Sequence, residues 1–183
     1  MSTGNTVEEI ENWWKNERWD NVKRDYSPAD VACLRNTFSC TVQNQNYSNL
    51  MATKLFQLLK IAQKCNSFHH TFGALDTIQV TNLAKYLKTV YVSGWQCSST
   101  ASATNHPGPD FADYPMNTVP NKVDQLVKAQ IFHDRKQNYN RSQMTEEERT
   151  KTPNVDYLQP IIADADTGFG GVTSTMKLTE IMI

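Results

Sequence analysis

The chain has 183 residues, with 18 Lys and Arg against 19 Asp and Glu, and a formal net charge of -1. This length suffices for one ordinary domain with a hydrophobic core. The balanced charge gives no electrostatic reason to expect nucleic acid or an anionic membrane as a partner, and the apolar runs are far shorter than the roughly 20 residues of a membrane-spanning helix. The four cysteines form no C-x-x-C pair and the N-terminus lacks a secretory signal, so we expect reduced thiols inside a cell.

Helix start signals dominate the first 66 residues, for which we predict a helical region. Thr6–Glu9 has the spacing of a capping box, and apolar side chains follow at helical spacing. Ser27 followed by Pro28 predicts a second helix, and the apolar positions of residues 49–64 predict a third. We interpret the tryptophans of this region as packing residues and not as a ligand cage; they are Trp13, Trp14 and Trp19.

From residue 68 onward the predicted elements alternate between strand and helix. The predicted strands are residues 68–75, 89–92 and 160–163, and the predicted helices are residues 76–88, 121–137 and 174–182. The polar segment 96–120 is predicted to be a long loop. Alternation of this kind is typical of a parallel sheet with helical crossovers. It fits a doubly wound sheet and an unfinished barrel equally well.

The predicted units fall short of a closed architecture. A three-stranded parallel sheet would leave two unpaired edges, and a complete (β/α)₈ barrel takes about 250 residues. The last two residues, Met182 and Ile183, lie inside an apolar helical pattern without a C-cap signal. We therefore expect the chain to be cut off before its α/β fold is complete.

Asp164 and Asp166 carry the strongest chemical signal. They follow the last predicted strand and precede a glycine-rich run, at the strand end where parallel α/β folds bind ligands. Carboxylates there suit magnesium, which takes one or two of them and keeps several waters. In an extended segment, residues two apart point the same way, so both could face one ion. Capping and turn roles explain the pair about equally well from spacing alone.

The second predicted strand runs into Ser93, Gly94 and Trp95, which offer a hydroxyl, unshielded backbone N–H groups and a large ring. Such a turn could hold a carboxylate, although a simple strand terminator would look the same. Cys97 has no adjacent base, which favours a passive thiol over a nucleophile. Asp110, in the polar segment, fits the outer shell of a metal and an ordinary surface turn equally well.

Long motifs closely resemble eukaryotic isocitrate lyases, especially those of the fungal branch. The resemblance is carried by the run Lys88–Ser102, which includes S-G-W-Q-C-S-S-T, by shorter runs within Pro107–Gln137, and by A-D-A-D-T-G at residues 163–168. It extends from the tryptophan-rich N-terminus to residue 183. It implies a (β/α)₈ TIM-type barrel of the isocitrate lyase/phosphoenolpyruvate mutase superfamily. Residues 67–183 would then form its first part, about three strand–helix units.

The resemblance implies a Mg²⁺-dependent retro-aldol cleavage of isocitrate to glyoxylate and succinate, with Mn²⁺ as a possible substitute. By position, Ser93–Trp95 match the family's substrate-binding turn and Asp164 matches the direct metal ligand. Asp166 and Asp110 match acids in the outer shell of the metal. The family's proton donor is a cysteine in a Lys-Lys-Cys-Gly-His motif, which this sequence lacks. We expect that cysteine beyond Ile183, so that the chain alone would be inactive.

Three alternatives stay open. 2-Methylisocitrate lyase, which releases pyruvate and succinate, shares the fold, metal and strand motifs; the acidic, Arg-free N-terminus argues modestly against it, because mitochondrial presequences are Arg-rich. A truncated chain would be catalytically dead and have only a binding or assembly role. The third alternative is another member of the superfamily that acts on a different small acid. The resemblance also implies a homotetramer in the glyoxysome, peroxisome or cytoplasm, not a secreted protein.

Overall fold

The computed structural model describes residues 6–35, 47–106 and 113–183, in which eight α-helices, one 3₁₀ turn and two strands occur. None of the described helices is long and apolar enough to span a membrane. In chain order the elements are α1 (Val7–Trp14), a 3₁₀ turn (Glu17–Trp19), α2 (Pro28–Leu34), α3 (Tyr47–Lys64), α4 (Thr77–Leu83), β1 (Val90–Val92), α5 (Gly94–Ala101), α6 (Thr118–Ser142), α7 (Glu146–Lys151), β2 (Ile161–Ala163) and α8 (Val172–Met182).

The two strands are parallel neighbours, with Val90 opposite Ile161. On the other edge of β1, Gly73 forms an isolated parallel bridge to Tyr91. The parallel arrangement predicted from the alternation is thus confirmed. The first predicted strand, residues 68–75, is wrong in its extent, because only the backbone around Gly73 reaches β1. Phe72 beside it stays 60% exposed, so little apolar burial extends the pairing along this segment.

The hydrophobic core lies on one face of β1, where α4, α5 and α6 pack. Val90 and Val92 are 1% and 0% exposed, and Leu126 from α6 is fully buried. Burying such a side chain stabilises the fold by about 1.5–3 kcal/mol. This layer holds β1 against the helices, directly before the residues at which α5 begins.

Predicted helix starts at the N-terminal side are confirmed. Thr6 and Glu9 form the capping box of α1, and Ser27 and Asp30 form that of α2. Each box pairs two backbone N–H groups that the helix leaves without partners. The predicted boundary after residue 66 stays a prediction.

The N-terminal helices dock on α6. The Asn138 side-chain amide donates to the backbone oxygens of three residues at the end of α2, at 3.5, 3.4 and 3.0 Å; these are Ala32, Cys33 and Arg35. From α3, the Tyr47 hydroxyl donates to Gln130 Oε1 at 3.1 Å. One long helix therefore joins the N-terminal helices to the strand layer.

The predicted loop over residues 96–120 is wrong at its start, because α5 occupies residues 94–101. Its Ser and Thr residues are poor helix formers, which is why the pattern predicts a loop. In the structure their hydroxyls bond back to the preceding turn: Ser98 Oγ donates to Trp95 O at 2.9 Å, and Thr100 Oγ1 donates to Gln96 O. Packing of α5 on α6 overrides the local preference.

Candidate functional site

The carboxyl ends of the two strands place two predicted site segments side by side. Ser93 directly follows β1, and Asp164 directly follows β2. The Asp164 N–H donates to Val92 O at 2.9 Å, so the ladder continues to the point where both chains leave the sheet. The two segments therefore begin at one edge, as expected for a ligand site of a parallel α/β fold.

The Ser93–Trp95 segment is a helix start and not a free turn. Ser93 is the N-cap of α5, and its hydroxyl oxygen accepts the Gln96 N–H at 3.3 Å. Gly94 and Trp95 are the first two helical residues, whose N–H groups have no partner within a helix. The positive end of the helix dipole lies there, which favours a bound anion such as a carboxylate. The substrate-binding role of these residues stays a prediction.

The acidic segment bends sharply after Asp164. The Asp166 N–H donates to Asp164 Oδ1 at 2.8 Å, and Asp166 has a positive φ of 42°. The sequence argument that an extended backbone points both carboxylates the same way is therefore wrong at Asp166, because the backbone is not extended there. The bend brings Asp166 towards α5 instead.

Gly94 is the point where α5 meets the acidic segment. A Cβ atom built on Gly94 would stand 2.5 Å from Asp166 Oδ2 and even nearer to the Tyr114 hydroxyl. Real Cβ atoms make contacts at 3.4–4 Å, so only glycine fits here without a rearrangement. The fold thus brings a predicted substrate-binding residue against a predicted metal-shell acid.

The loop after Asp164 has an uncommon backbone. Positive φ values occur at four of its residues, Asp166, Gly168, Phe169 and Gly170, at 42°, 76°, 59° and 138°. For a bulky residue such as Phe169 the left-handed region costs on the order of 1–3 kcal/mol, and such outliers cluster at functional sites. The loop conformation is therefore held by its surroundings and not by local preference.

The site contains two carboxylates, those of Asp164 and Asp166. In the described part of the chain, no Lys or Arg forms an ion pair with Asp164. Burial raises the pKa of the nearby Cys97 thiol from 9.0 to about 11; Lys122 opposes the rise, and Asp166 and Asp164 add to it. Cys97 is 2% exposed and stays protonated at neutral pH, which agrees with the interpretation of a passive thiol.

Asp164 and Asp166 could hold a hydrated magnesium ion. Residues 6–35, 47–106 and 113–183 hold no cluster of three or more His, Cys, Asp or Glu side chains that could bind a metal. Magnesium does not require one, since it binds through one or two carboxylates and retains water. Asp110 lies outside the described residues, and its outer-shell role stays a prediction, as do the metal roles of Asp164 and Asp166.

Sequence reasoning misses Tyr114 as a site residue. Its ring contacts the Phe169 ring with centroids 5.1 Å apart, and its hydroxyl lies against Gly94. The side chain is 5% exposed and belongs to the core around β1. No spacing rule points to an aromatic residue in a polar segment, and only the fold shows that it reaches the acidic loop.

A cavity of about 370 Å³ is lined by residues that precede the strands. Lys85 lies before β1, Tyr157 lies before β2, and His133 and Lys136 come from α6. Ligand sites of parallel α/β folds lie at the opposite, carboxyl ends of the strands. The segments around Gly94 and Asp164 are therefore the stronger candidate site.

The described structure is that of an α/β protein with adjacent parallel strands and a candidate anion and cation site at their carboxyl ends. Residues 6–183 match the model of the isocitrate lyase family, and the chain belongs to that family. It is 52% identical over 177 residues to the isocitrate lyase of Saccharomyces cerevisiae. The matched region covers 96% of this chain and 31% of the yeast protein.

Two further relatives lie at similar distances. Over 178 residues the chain is 53% identical to the isocitrate lyase of Oryza sativa subsp. japonica, covering 97% of this chain and 30% of the relative. Over 176 residues it is 48% identical to the mitochondrial 2-methylisocitrate lyase of Hypocrea atroviridis, covering 96% of this chain and 30% of the relative. The chain thus spans about 30% of the length of these curated relatives.

Proposed function

We propose that this chain provides the metal-binding and substrate-positioning region of an isocitrate lyase, which cleaves isocitrate to glyoxylate and succinate with magnesium. One observation carries the proposal: Gly94, at the start of α5, lies against the Asp166 carboxylate. An anion-binding helix end and an acidic pair therefore share one strand-end site. A substrate that carries carboxylates and also chelates a divalent cation suits this combination.

Each residue then has a separate task. The N–H groups of Gly94 and Trp95 receive a substrate carboxylate at the positive end of α5. Asp164 would bind the metal directly, and Asp166 and Asp110 would hold water in its outer shell. When bound, magnesium polarises the substrate hydroxyl and the adjacent carboxylate. Manganese would occupy the same oxygen ligands.

The proton donor is not among the four cysteines of this sequence. Cleavage leaves a carbanion on the succinate side that a donor must protonate. Cys97 is buried, and its pKa is raised to about 11, so it is a poor match for a donor that must recycle near neutral pH. The Lys-Lys-Cys-Gly-His motif is absent from these 183 residues. We propose that the donor comes from another part of the protein, and that these residues alone do not turn over isocitrate.

We further propose that the strands belong to a (β/α)₈ barrel. Among the described residues β2 pairs only with β1, and a two-stranded sheet alone is marginally stable. On the face away from the core, Ile162 is 40% exposed. Additional strands would cover this face and the free edge of β2. We expect a homotetramer in the glyoxysome, peroxisome or cytoplasm.

Steady-state kinetics of the full-length native protein tests the proposed reaction. Glyoxylate released from isocitrate and pyruvate released from 2-methylisocitrate are measured side by side, with Mg²⁺ present. We expect the larger kcat/KM with isocitrate. A larger kcat/KM with 2-methylisocitrate would replace the proposed substrate, and no turnover of either would leave a different small acid as substrate or a binding or assembly role.

A further inference from the structure

Tyr114 presents a buried hydroxyl that the structure leaves without a described hydrogen-bond partner. The side chain is only 5% exposed, so water does not reach it freely. Leaving a buried polar group unpaired costs about 1–3 kcal/mol, and buried tyrosine hydroxyls usually find a partner. The fold therefore places this hydroxyl where a bound state can use it.

The hydroxyl lies against Gly94, as the Asp166 carboxylate does. A Cβ atom on Gly94 would meet both the Tyr114 hydroxyl and Asp166 Oδ2, so these two groups lie against the same face of Gly94. No larger side chain at residue 94 could stand there without forcing them away. Because glycine has no side chain, Gly94 leaves room for both the Tyr114 hydroxyl and the Asp166 carboxylate.

The ring of Tyr114 holds the same loop from a second direction. It packs edge-on against Phe169, whose φ of 59° needs outside support. The ring of Tyr114 therefore contacts the loop at Phe169, while its hydroxyl lies beside Gly94 on the side where Asp166 Oδ2 also lies. A side chain that only filled the core would need no hydroxyl at this position.

We propose that Tyr114 is a positioning residue for divalent-cation binding. Its ring supports the loop at Phe169, and its hydroxyl donates a hydrogen bond to the Asp166 carboxylate when the cation is bound. The inference rests on the proposed function, because it assumes that Asp164 and Asp166 serve a metal. It adds a residue that neither touches the metal nor contributes a charge.

Binding of Mn²⁺ alone to the full-length native protein tests the proposal, measured by electron paramagnetic resonance of free and bound ion. Tyr114→Phe keeps the ring and removes the hydroxyl. We expect its Mn²⁺ dissociation constant to rise on the order of 10-fold, as is typical when an outer-sphere partner is lost. Tyr86→Phe is the matched control, since Tyr86 is 82% exposed and should bind Mn²⁺ like the unmodified protein.

The variant Asp164→Asn distinguishes failure of the proposed metal site from failure of the positioning role of Tyr114. If Asp164→Asn loses Mn²⁺ and Tyr114→Phe binds it as tightly as the Tyr86→Phe control, the positioning role is refuted while the metal site stands. If Asp164→Asn binds Mn²⁺ normally, the metal site is wrong and the proposed function falls with it. Weakened binding in Tyr114→Phe together with loss in Asp164→Asn supports both.

A measurement that keeps the hydroxyl covers the case in which Tyr114→Phe does not fold. 3-Fluorotyrosine is placed at residue 114, or at residue 86 as the control, and its ¹⁹F resonance is followed during a Mg²⁺ titration. We expect the resonance at 114 to shift with saturation of the site and that at 86 to stay. An unchanged resonance at 114 at saturating Mg²⁺ would overturn the proposal.

Discussion

Gly94→Ala perturbs the contact on which the site depends. The added Cβ would stand 2.5 Å from Asp166 Oδ2 and closer still to the Tyr114 hydroxyl. Neither neighbour yields easily, because Tyr114 is buried against Phe169 and Asp166 is tied to Asp164 by a 2.8 Å hydrogen bond. Overpacking of this kind costs about 1–3 kcal/mol. The gain in helix propensity on replacing glycine, at most about 1 kcal/mol, offsets only part of it.

Denaturant unfolding of the full-length native protein measures this cost. Gly171→Ala is the matched control, because a Cβ at Gly171 meets nothing within 4 Å, and we expect it to change the free energy of unfolding by less than about 1 kcal/mol. In a Tyr114→Phe background the penalty of Gly94→Ala should shrink by at least about 0.5 kcal/mol, since one clashing atom is gone. A Gly94→Ala protein as stable as the control, or strict additivity with Tyr114→Phe, would refute the reasoning.

Three further predictions follow from the described contacts. At pH 8, buried Cys97 should react with a maleimide roughly 100-fold or more slowly than exposed Cys65, because Cys97 is 2% exposed and the rise of its pKa from 9.0 to about 11 leaves about 100-fold less of its thiolate. Mass spectrometry of labelled peptides checks this, and equal rates would contradict it. Since the folded-state pKa of Cys97 is raised, its protonated form stabilises the fold below pH 9, and this contribution fades between pH 9 and 11. Between pH 8 and pH 10.5, the free energy of unfolding should therefore fall less for Cys97→Ala than for the unmodified protein, which unfolding curves at the two pH values measure. Asn138→Ala removes the donor to the end of α2, so the α2 amides should exchange faster, by about 1 kcal/mol of lost protection; unchanged exchange there would show that the contact is dispensable.

Local signals predict the helix starts because the relevant bonds span only three residues. Thr6, Ser27 and Asp76 each accept the N–H of the residue three positions later, at the helix starts that the sequence predicts. The convergence of the strand ends was also predictable, since parallel strands finish at one edge. These features depend on interactions between residues that are close in sequence, or on general rules of parallel sheets.

The remaining features depend on contacts between distant residues. α5 forms from poor helix formers because α6 packs on it, and no local pattern reports that contact. The bend at Asp166 requires a left-handed backbone. Asp can adopt that conformation, but no residue beside it in the sequence predicts that it does. Tyr114 lies 20 residues after Gly94, and only the folded chain brings its hydroxyl against that glycine. For these reasons the position of Asp164 at a strand end was predictable from sequence, and the orientation of Asp166 relative to it was not.

Magnesium-dependent release of glyoxylate from isocitrate, by the full-length native protein, tests the central claim most directly. We predict turnover that EDTA abolishes and added Mg²⁺ restores, and that Asp164→Asn lowers by roughly 100-fold or more, beyond the effect expected for an outer-sphere residue. Tyr86→Phe, on an exposed side chain, should turn over isocitrate at the unmodified rate. Glyoxylate release that persists in EDTA and in Asp164→Asn would contradict the account.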